Sequence, residues 1–188
     1  MIFVTSDLHF GHDREFMYGP RGFGSIEESD TTIVGNWNSV VSDDDVVYVL
    51  GDIMLNDNEK GLAYWNQLKG KKFMLIGNHD SAVRVELLKE CPNTQVLGYA
   101  DVLQYDGFHF YLSHYPTITR SFEYHRRLKI GLINLCGHTH TKDRFLDAEK
   151  GRIYHCELDA HDIKPVAITE IIDDLIQINQ RYGSENGE

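Results

Sequence analysis

The chain has 188 residues, 41% of them hydrophobic and 25% charged, which fits a globular protein with one sizeable core. Its formal net charge of −11 argues against stable binding of duplex nucleic acid, although bound metal ions can still attract a phosphate locally. Cys91, Cys136 and Cys156 match no zinc-ribbon spacing, and no apolar run is long enough to cross a membrane. We therefore expect a cytoplasmic protein with reduced thiols and no membrane partner. Because the first predicted strand begins at the second residue, we expect no signal peptide.

The first half of the chain has the pattern of alternating strands and helices. Apolar runs predict strands at 2–6, 46–50 and 72–76, and apolar periodicity predicts helices at 26–41, 58–68 and 81–90. Ser25 with Glu28 resembles a capping box at the first helix, after a glycine-rich loop at 19–24. Trp37 and Trp65 lie on the apolar faces of these helices and are expected in the core. The run 43–45 of three aspartates is interpreted as a solvated turn.

The second half of the chain is richer in strands. Asp106-Gly107 between the runs 100–105 and 108–113 predicts a β-hairpin with a type I′ turn. Further strands are predicted at 130–136 and 152–157, and Thr169 is interpreted as the N-cap of a closing amphipathic helix. The sequence therefore predicts an α/β protein with parallel strands first and antiparallel strands later. We expect one domain over residues 1–182 and a frayed tail over 183–188.

Polar residues follow five of the apolar runs. They are Asp7-x-His9, Gly51-Asp52, Gly77-Asn78-His79-Asp80, His114 and Gly137-His138-Thr139-His140. The carboxyl ends of strands are where ligands bind in open α/β sheets, and residues two apart in an extended chain point to the same side. Asp7 and His9 could thus bind one ion together. Imidazole and carboxylate ligands without thiolates suit manganese, iron or zinc.

In this order the five motifs resemble the calcineurin-like metallophosphoesterase family, over residues 2 to about 166. The segments Phe10-Gly11-His12 and Lys164-Pro165-Val166 look most similar to its small prokaryotic and phage-type members. The resemblance implies a four-layer sandwich of two mixed β-sheets flanked by helices, with metals at the strand ends. It also implies that the polar residues after all five apolar runs belong to one active site.

The resemblance further implies two divalent metal ions, manganese foremost, with iron, zinc or nickel as alternatives. The first ion would be held by Asp7, His9, Asp52 and His140, and the second by Asp52, Asn78, His114 and His138. A hydroxide shared by the two ions would then attack the phosphorus atom. His79 would act as general acid towards the leaving oxygen, with Asp80 holding its ring.

The implied activity is hydrolysis of a phosphate ester. A diester is favoured, because small members of the family often look like phosphodiesterases. A phosphomonoesterase acting on a metabolite or a phosphoprotein is the close alternative, and a non-catalytic scaffold of the same fold is another, although His79 and every ligand position are present. A nuclease is a narrower alternative. The expected partner is a phosphate-ester substrate such as a nucleotide, and the oligomeric state is left open.

Several basic and imidazole side chains lie outside these motifs. The only basic cluster comprises Arg120, Arg126, Arg127 and Lys129. It could hold a second phosphate or a nucleotide, but an ordinary charged surface is favoured. His12 is expected either near the mouth of the site or on the solvated surface. His155 could support the metals from behind, and His109 is expected to be packed or exposed without a function.

Overall fold

The computed structural model of the protein describes residues 1–119 and 128–183. Two mixed β-sheets flanked by helices form the fold, as predicted. The first sheet has the order β4-β3-β2-β1-β9. Its strands are β1 (Ile2–Thr5), β2 (Val46–Val49), β3 (Lys71–Leu75), β4 (Thr94–Gly98) and β9 (Val166–Ala167). Only β9 runs antiparallel to its neighbour, so the first sheet is parallel through its centre.

The second sheet has the order β5-β6-β7-β8. Its strands are β5 (Ala100–Tyr105), β6 (Phe108–Ser113), β7 (Leu132–Cys136) and β8 (Ile153–His155). The antiparallel pair β5–β6 forms the predicted hairpin, and Asp106 and Gly107 have φ values of 46° and 78°, as a type I′ turn requires. The pairs β6–β7 and β7–β8 are parallel, so the expectation of antiparallel strands later in the chain holds for the hairpin and β9 but not for β7 and β8.

The helices of the described chain lie between or after the strands. They are α1 (Glu15–Tyr18), α2 (Ile26–Val40), α3 (Asn58–Trp65), α4 (Ala82–Lys89) and α5 (Ile168–Gly183), with a 3₁₀ turn at Leu158–Ala160. None of them combines the length and apolarity needed to cross a bilayer. Ser25 caps α2 by accepting a hydrogen bond from the Glu28 backbone, while the Glu28 carboxylate binds the amide of Gly24. Thr169 lies inside α5 and is therefore not its N-cap.

Successive side chains along the strands of the first sheet point to opposite faces, so they belong to two different hydrophobic clusters. Val4, Leu50 and Leu75 belong to a cluster with β6, β7 and α5. Phe3, Val49 and Met74 belong to the other cluster, with α2, α3 and α4. Trp37 and Trp65 are fully buried in that second cluster, as predicted. A sheet with apolar packing on both faces leaves only its strand ends for polar chemistry.

Three sequence-based expectations change with the structure. The strands β4 and β9 and the short helix α1 were not predicted, and α3 ends at Trp65, three residues early. Asp45 is buried and accepts hydrogen bonds from the backbone amide and hydroxyl of Ser42, so it closes its turn rather than being solvated. In the expected tail, Gly183 ends α5 and residues 184–188 lie outside the described chain. The single-domain organisation stays a prediction.

Candidate metal centre

The strand ends that carry the predicted ligands meet at one place. Since β1, β2 and β3 are parallel neighbours, Asp7, Asp52 and Asn78 leave the first sheet at the same edge. Main-chain hydrogen bonds lock the loops together: the amide of Asp7 donates to Gly51 O at 3.1 Å and the amide of His9 donates to Asp52 O at 3.0 Å. In the second sheet the amide of Gly137 donates to His114 O at 3.0 Å. Backbone pairing therefore fixes the origin of each ligand side chain.

Most of the predicted ligands have an unusual backbone conformation. Positive φ values between 50° and 76° occur at Asp7, His9, Asp52, His138 and His140. Aspartate and histidine tolerate this left-handed region better than most residues, but it still costs of order 1–3 kcal/mol per residue. Such strain persists where the surroundings over-determine it, and it clusters at functional sites. Its concentration at five of seven predicted ligands is the pattern typical of a functional site.

Two glycines permit the loops to approach this closely. A Cβ at Gly51, which has a φ of 99°, would lie 2.7 Å from Gly77 Cα. A Cβ at Gly137 would overlap Ser6 Oγ and Asp7 Oδ2. The glycine before His138 therefore lets the loop after β7 sit directly on the end of β1, which is what joins the two sheets at the site.

The first group of predicted ligands surrounds Asp7. Its Oδ1 lies 3.6 Å from His9 Nε2 and 3.7 Å from His140 Nε2. Asp7 Oδ1 and His9 Nε2 are buried without a hydrogen-bond partner. Burial alone would raise the pKa of Asp7, but His9, His140 and His114 hold it well below its usual range. Unpartnered buried donor atoms of these chemical types fit a divalent metal ion.

The second group surrounds His114, whose ring is almost fully buried. Its Nδ1 lies 2.9 Å from Leu50 O, and since a carbonyl can only accept, Nδ1 carries the proton. Its Nε2 lies 2.8 Å from Asn78 Oδ1 and 3.5 Å from Asp52 Oδ2. A ring nitrogen, an amide oxygen and a carboxylate oxygen that converge in this way are of the chemical types that bind a divalent cation.

His138 and Asp52 link the two groups. The His138 ring lies 5.0 Å from the His114 ring, and its amide donates to Asp7 Oδ2 at 2.8 Å. Burial, and then the neighbouring His114, lower the pKa of His138, which favours the neutral imidazole that binds metals. Asp52 Oδ2 lies 3.7 Å from His9 Nε2 and 3.5 Å from His114 Nε2, so one carboxylate oxygen faces both groups.

The expected contact between Asp80 and the His79 ring does not form. The Asp80 carboxylate instead accepts hydrogen bonds from the backbone amides of Asp52, Ile53 and Gly77, at 2.8, 3.1 and 2.8 Å. Three converging amides satisfy this carboxylate, so Asp80 shapes the loops beneath the site and the expectation that it holds His79 is wrong. The His79 amide donates to Asp52 Oδ1 at 2.8 Å, and its partly exposed ring lies with Nε2 4.0 Å from Asp52 Oδ2.

Two residues that sequence reasoning missed support His140 from behind. Asp159 Oδ2 lies 3.1 Å from His140 Nδ1, and Arg21 binds the same carboxylate through Nε at 3.0 Å and Nη2 at 2.8 Å. Arg21 Nη2 also donates to Asp7 O at 2.7 Å. Burial would raise the pKa of Asp159, but His140 and Arg21 lower it to about 2. A carboxylate behind a metal-binding histidine fixes the ring orientation and raises its basicity.

A buried network holds the loop between the two exposed histidines. Thr139 Oγ1 donates to Glu157 Oε1 at 2.6 Å, and His155 Nδ1 lies 3.0 Å from Thr139 Oγ1. His155 and Glu157 are at most 1% exposed. His155 thus contacts the residue between His138 and His140, and its support of the metals from behind stays a prediction.

The remaining candidates fall in different places. His12 is only 6% exposed, its ring lies 5.4 Å from that of His9 and 6.1 Å from that of His79, and burial followed by these neighbours lowers its pKa to about 4. It therefore packs beside His9 and His79, behind the lining of the site, and not on the solvated surface. His109 is half-buried in β6. Lys129 forms an ion pair with Asp106 at the hairpin turn, while Arg120, Arg126 and Arg127 lie outside the described residues.

A cleft of about 440 Å³ opens over these groups. Its polar floor consists of His9, Asp52, Asn78, His79, His138, His140 and Asp159. Its apolar wall consists of Phe16, Met17 and Pro20. Five of the seven predicted ligands and His79 therefore face a space that a small organic phosphate could enter.

Comparisons with known proteins show what the chain is similar to. The sequence model described as calcineurin-like phosphoesterase matches residues 1–161. The chain is 30% identical over 203 residues to the Gene 66 protein of Mycobacterium phage D29, covering 93% of this chain and 96% of that protein. It is 35% identical over 117 residues to an uncharacterized protein of Methanocaldococcus jannaschii, covering 61% of this chain but only 58% of that protein. A crystal structure of a protein of unknown function from Aquifex aeolicus is similar with a TM-score of 0.70 at 25% identity, covering 92% of this chain and 98% of the other.

Proposed function

The chain belongs to the calcineurin-like phosphoesterase family, a family of metal-dependent hydrolases, and on that premise we propose that it hydrolyses a phosphodiester with two divalent metal ions. The observation that carries the proposal is the position of Asp52. One of its oxygens faces His9 on one side and His114 on the other, at 3.7 and 3.5 Å. A shared carboxylate between two groups of ligands is the arrangement that a dinuclear centre requires.

Each ion has its own set of proposed ligands. The first set is Asp7, His9, Asp52 and His140, and the second is Asp52, Asn78, His114 and His138. Asp7 with His9 and His140, and Asp7 with Asp52 and His114, form groups whose donor atoms lie within 4.8 Å of one another. The donors are nitrogen and oxygen without a thiolate, which suits manganese first and iron, zinc or nickel as alternatives.

Divalent ions in such a site supply a nucleophile from water at neutral pH and neutralise charge that develops on the phosphoryl oxygens. The side chains of the chain supply the rest. The ring of His114 and the carboxylates of Asp7 and Asp52 would hold the ions in place. The ring of His79 faces the cleft and is outside both ligand sets, so it is placed to donate a proton to the leaving oxygen. Asp80 keeps His79 in place only indirectly, through the loop amides that it binds.

The composition of the cleft favours a diester over a monoester. Among the described residues that line it, none is an arginine or a lysine. A monoester dianion would gain from such a cation, because guanidinium and ammonium groups bind phosphate oxygens strongly. A diester carries one negative charge and a second organic group, and the wall formed by Phe16, Met17 and Pro20 offers apolar contact to that group. The diester is therefore the better match for charge and shape.

The proposal is tested by turnover of bis(4-nitrophenyl) phosphate and 4-nitrophenyl phosphate by metal-stripped protein to which Mn²⁺, Ni²⁺, Zn²⁺ or Mg²⁺ is added back. We expect the diester to be the better substrate by kcat/KM, with Mn²⁺ the best activator. A preference for the monoester would overturn the diester assignment alone. Inertness towards both substrates with every ion would instead point to a non-catalytic scaffold.

The role of His79 is tested by His79→Ala at matched metal content. Because positioned acid catalysis typically contributes about 10²–10⁴-fold, we expect kcat to fall within that range while the metal content stays unchanged. His109→Ala, which removes a half-buried histidine outside the cleft, serves as the matched control and should keep wild-type activity. Equal turnover by wild type and His79→Ala would remove His79 from the mechanism.

A further inference from the structure

The apolar wall of the cleft has no role in the hydrophobic core. Phe16 lies on the four-residue helix α1, none of whose residues is buried, and it is 68% exposed. Met17 is half-buried and Pro20 is exposed, yet all three line the same cleft as the proposed metal ligands. An exposed apolar group that borders a polar site is typical of ligand contact rather than of folding.

The wall is held at both ends by residues that belong to the site. On one side the Phe16 ring makes an edge-to-face contact with the buried His12 ring at 5.7 Å. On the other side Pro20 precedes Arg21, whose side chain is 2% exposed and binds both Asp159 and the main-chain oxygen of Asp7. The wall therefore has a fixed position relative to the proposed metal centre.

The position of His79 decides which part of a substrate would meet the wall. The His12 ring, which Phe16 contacts, lies 6.1 Å from the His79 ring. If His79 protonates the leaving oxygen, the organic group on that oxygen must leave the phosphorus on the His79 side of the cleft. That side is where Phe16 and Met17 stand, so the leaving group and the wall share the same space.

The chemistry of the wall selects the kind of leaving group. An exposed aromatic ring offers a flat face on which another planar ring stacks, and a methionine beside it adapts to the edge. The wall carries no charged side chain, so it gives no favourable partner to a charged substituent. We propose that Phe16, with Met17 and Pro20, forms a subsite for an uncharged planar aromatic leaving group, either a simple aryl alcohol or the nucleobase-bearing part of a nucleotide. This inference rests on the proposed function, because it uses the leaving-group side defined by His79.

The subsite is tested first by kinetics with Phe16→Ala. Two diesters, 4-nitrophenyl methyl phosphate and 2,2,2-trifluoroethyl methyl phosphate, differ in whether the leaving group is aromatic. Since stacking on an aromatic side chain is a substantial interaction, we expect kcat/KM for the aromatic ester to fall about tenfold in the variant. The trifluoroethyl ester should change less than about twofold, and the intrinsic reactivity of each ester cancels in the ratio of variant to wild type. Phe16→Trp should restore the aromatic preference, and Tyr99→Ala, which removes a 75% exposed aromatic ring outside the cleft lining, should leave both values unchanged.

Binding to a variant with little turnover gives an independent measurement. Calorimetric titration of the manganese-loaded His79→Ala protein, with and without Phe16→Ala, uses phenyl phosphate, uridine 5′-monophosphate and methyl phosphate and reports the contact with the wall directly. We expect Phe16→Ala to weaken phenyl phosphate about tenfold and to leave methyl phosphate unchanged. A parallel loss for uridine monophosphate assigns the subsite to a nucleobase, and an unchanged value for it assigns the subsite to a simple aryl group.

Two outcomes would overturn the inference. One is equal weakening of all three ligands by Phe16→Ala, and the other is no weakening of any. Should the wild type hydrolyse no phosphate ester, the proposed function fails, and the calorimetric comparison still decides whether the aromatic subsite exists.

Discussion

Two parts of the proposed metal centre are built in different ways. The buried half, comprising Asp7, His9 and Asp52 at the ends of β1 and β2, is at most 2% exposed and is tied together by main-chain hydrogen bonds. The exposed half, comprising His138 and His140 on the loop after β7, is held by side chains, chiefly Asp159 and Glu157. The His140 side chain is 33% exposed. Main-chain hydrogen bonds thus fix the geometry of the buried half, whereas the geometry of the exposed half depends on a few side-chain contacts that single substitutions remove.

The largest expected effect comes from breaking the buried half at Asp52. Asp52→Asn keeps an oxygen that can accept from the His79 amide but removes the charge that faces both groups of ligands. We expect kcat/KM to fall by about 10³-fold or more, because a metal centre supplies several kcal/mol of transition-state stabilisation. Metal analysis should show fewer than two ions per chain.

A control for this variant is Asp43→Asn, which neutralises an exposed carboxylate in the turn before β2. It should keep wild-type metal content and activity. If Asp52→Asn kept both ions and full activity, Asp52 would not be the shared ligand.

A smaller effect is expected from loosening the exposed half at Asp159. Asp159→Asn removes the charge behind His140 and weakens the anchor of Arg21, but it leaves the main-chain hydrogen bonds of the buried half in place. Loss of such a supporting carboxylate typically costs about 10–100-fold in metal affinity. Metal titration should show one weakened site and one unchanged site. Asp147→Asn, at the surface ion pair with Lys150, is the matched control and should leave both sites unchanged. Equal weakening of both sites by Asp159→Asn would contradict the assignment of His140 to one ion.

The last expected effect concerns stability, with no change expected in the metal centre, and it sharpens the description of the buried half. Asp30 on α2 is buried and binds the amide of Gly11, in the turn that follows His9. Burial is the main cause that raises its pKa to about 7. Between about pH 4 and pH 7 the folded protein therefore keeps a proton on Asp30, whereas the unfolded chain has released it. The free energy of unfolding falls as the pH rises through this range, and above about pH 7 Asp30 causes no further change.

Asp30→Asn removes this titration. Relative to the wild type, the variant should gain up to about 4 kcal/mol in its free energy of unfolding from pH 4 to pH 7, since one pKa unit corresponds to about 1.4 kcal/mol. Denaturant unfolding at several pH values measures it. A difference that stays constant with pH would show that Asp30 is not a buried carboxylate with a raised pKa.

The features that were predicted correctly from the sequence depend on neighbouring residues or on a periodic pattern. The Asp106-Gly107 turn needs only its own two residues, and the apolar strands with polar residues at their ends identify the edge of the sheet at which Asp7, Asp52 and Asn78 meet. Strand β9 is only two residues long, and its pairing with β1 joins distant parts of the chain, so no local pattern marks it.

What the sequence could not predict depends on distant contacts. Asp80 follows His79 directly, and adjacency suggested a contact, but the turn of the backbone sends its carboxylate to the amides of Asp52, Ile53 and Gly77. Arg21 and Asp159 are 138 residues apart, and only the folded chain brings them together behind His140. The residues that hold the exposed half are therefore the ones that sequence reasoning missed.

The most direct test of the central claim is anomalous diffraction from crystals of the protein grown with Mn²⁺. The account predicts two manganese peaks about 3.5–4 Å apart, one beside His9 and one beside His114, with Asp52 between them. A single peak, or two peaks away from these side chains, would contradict it.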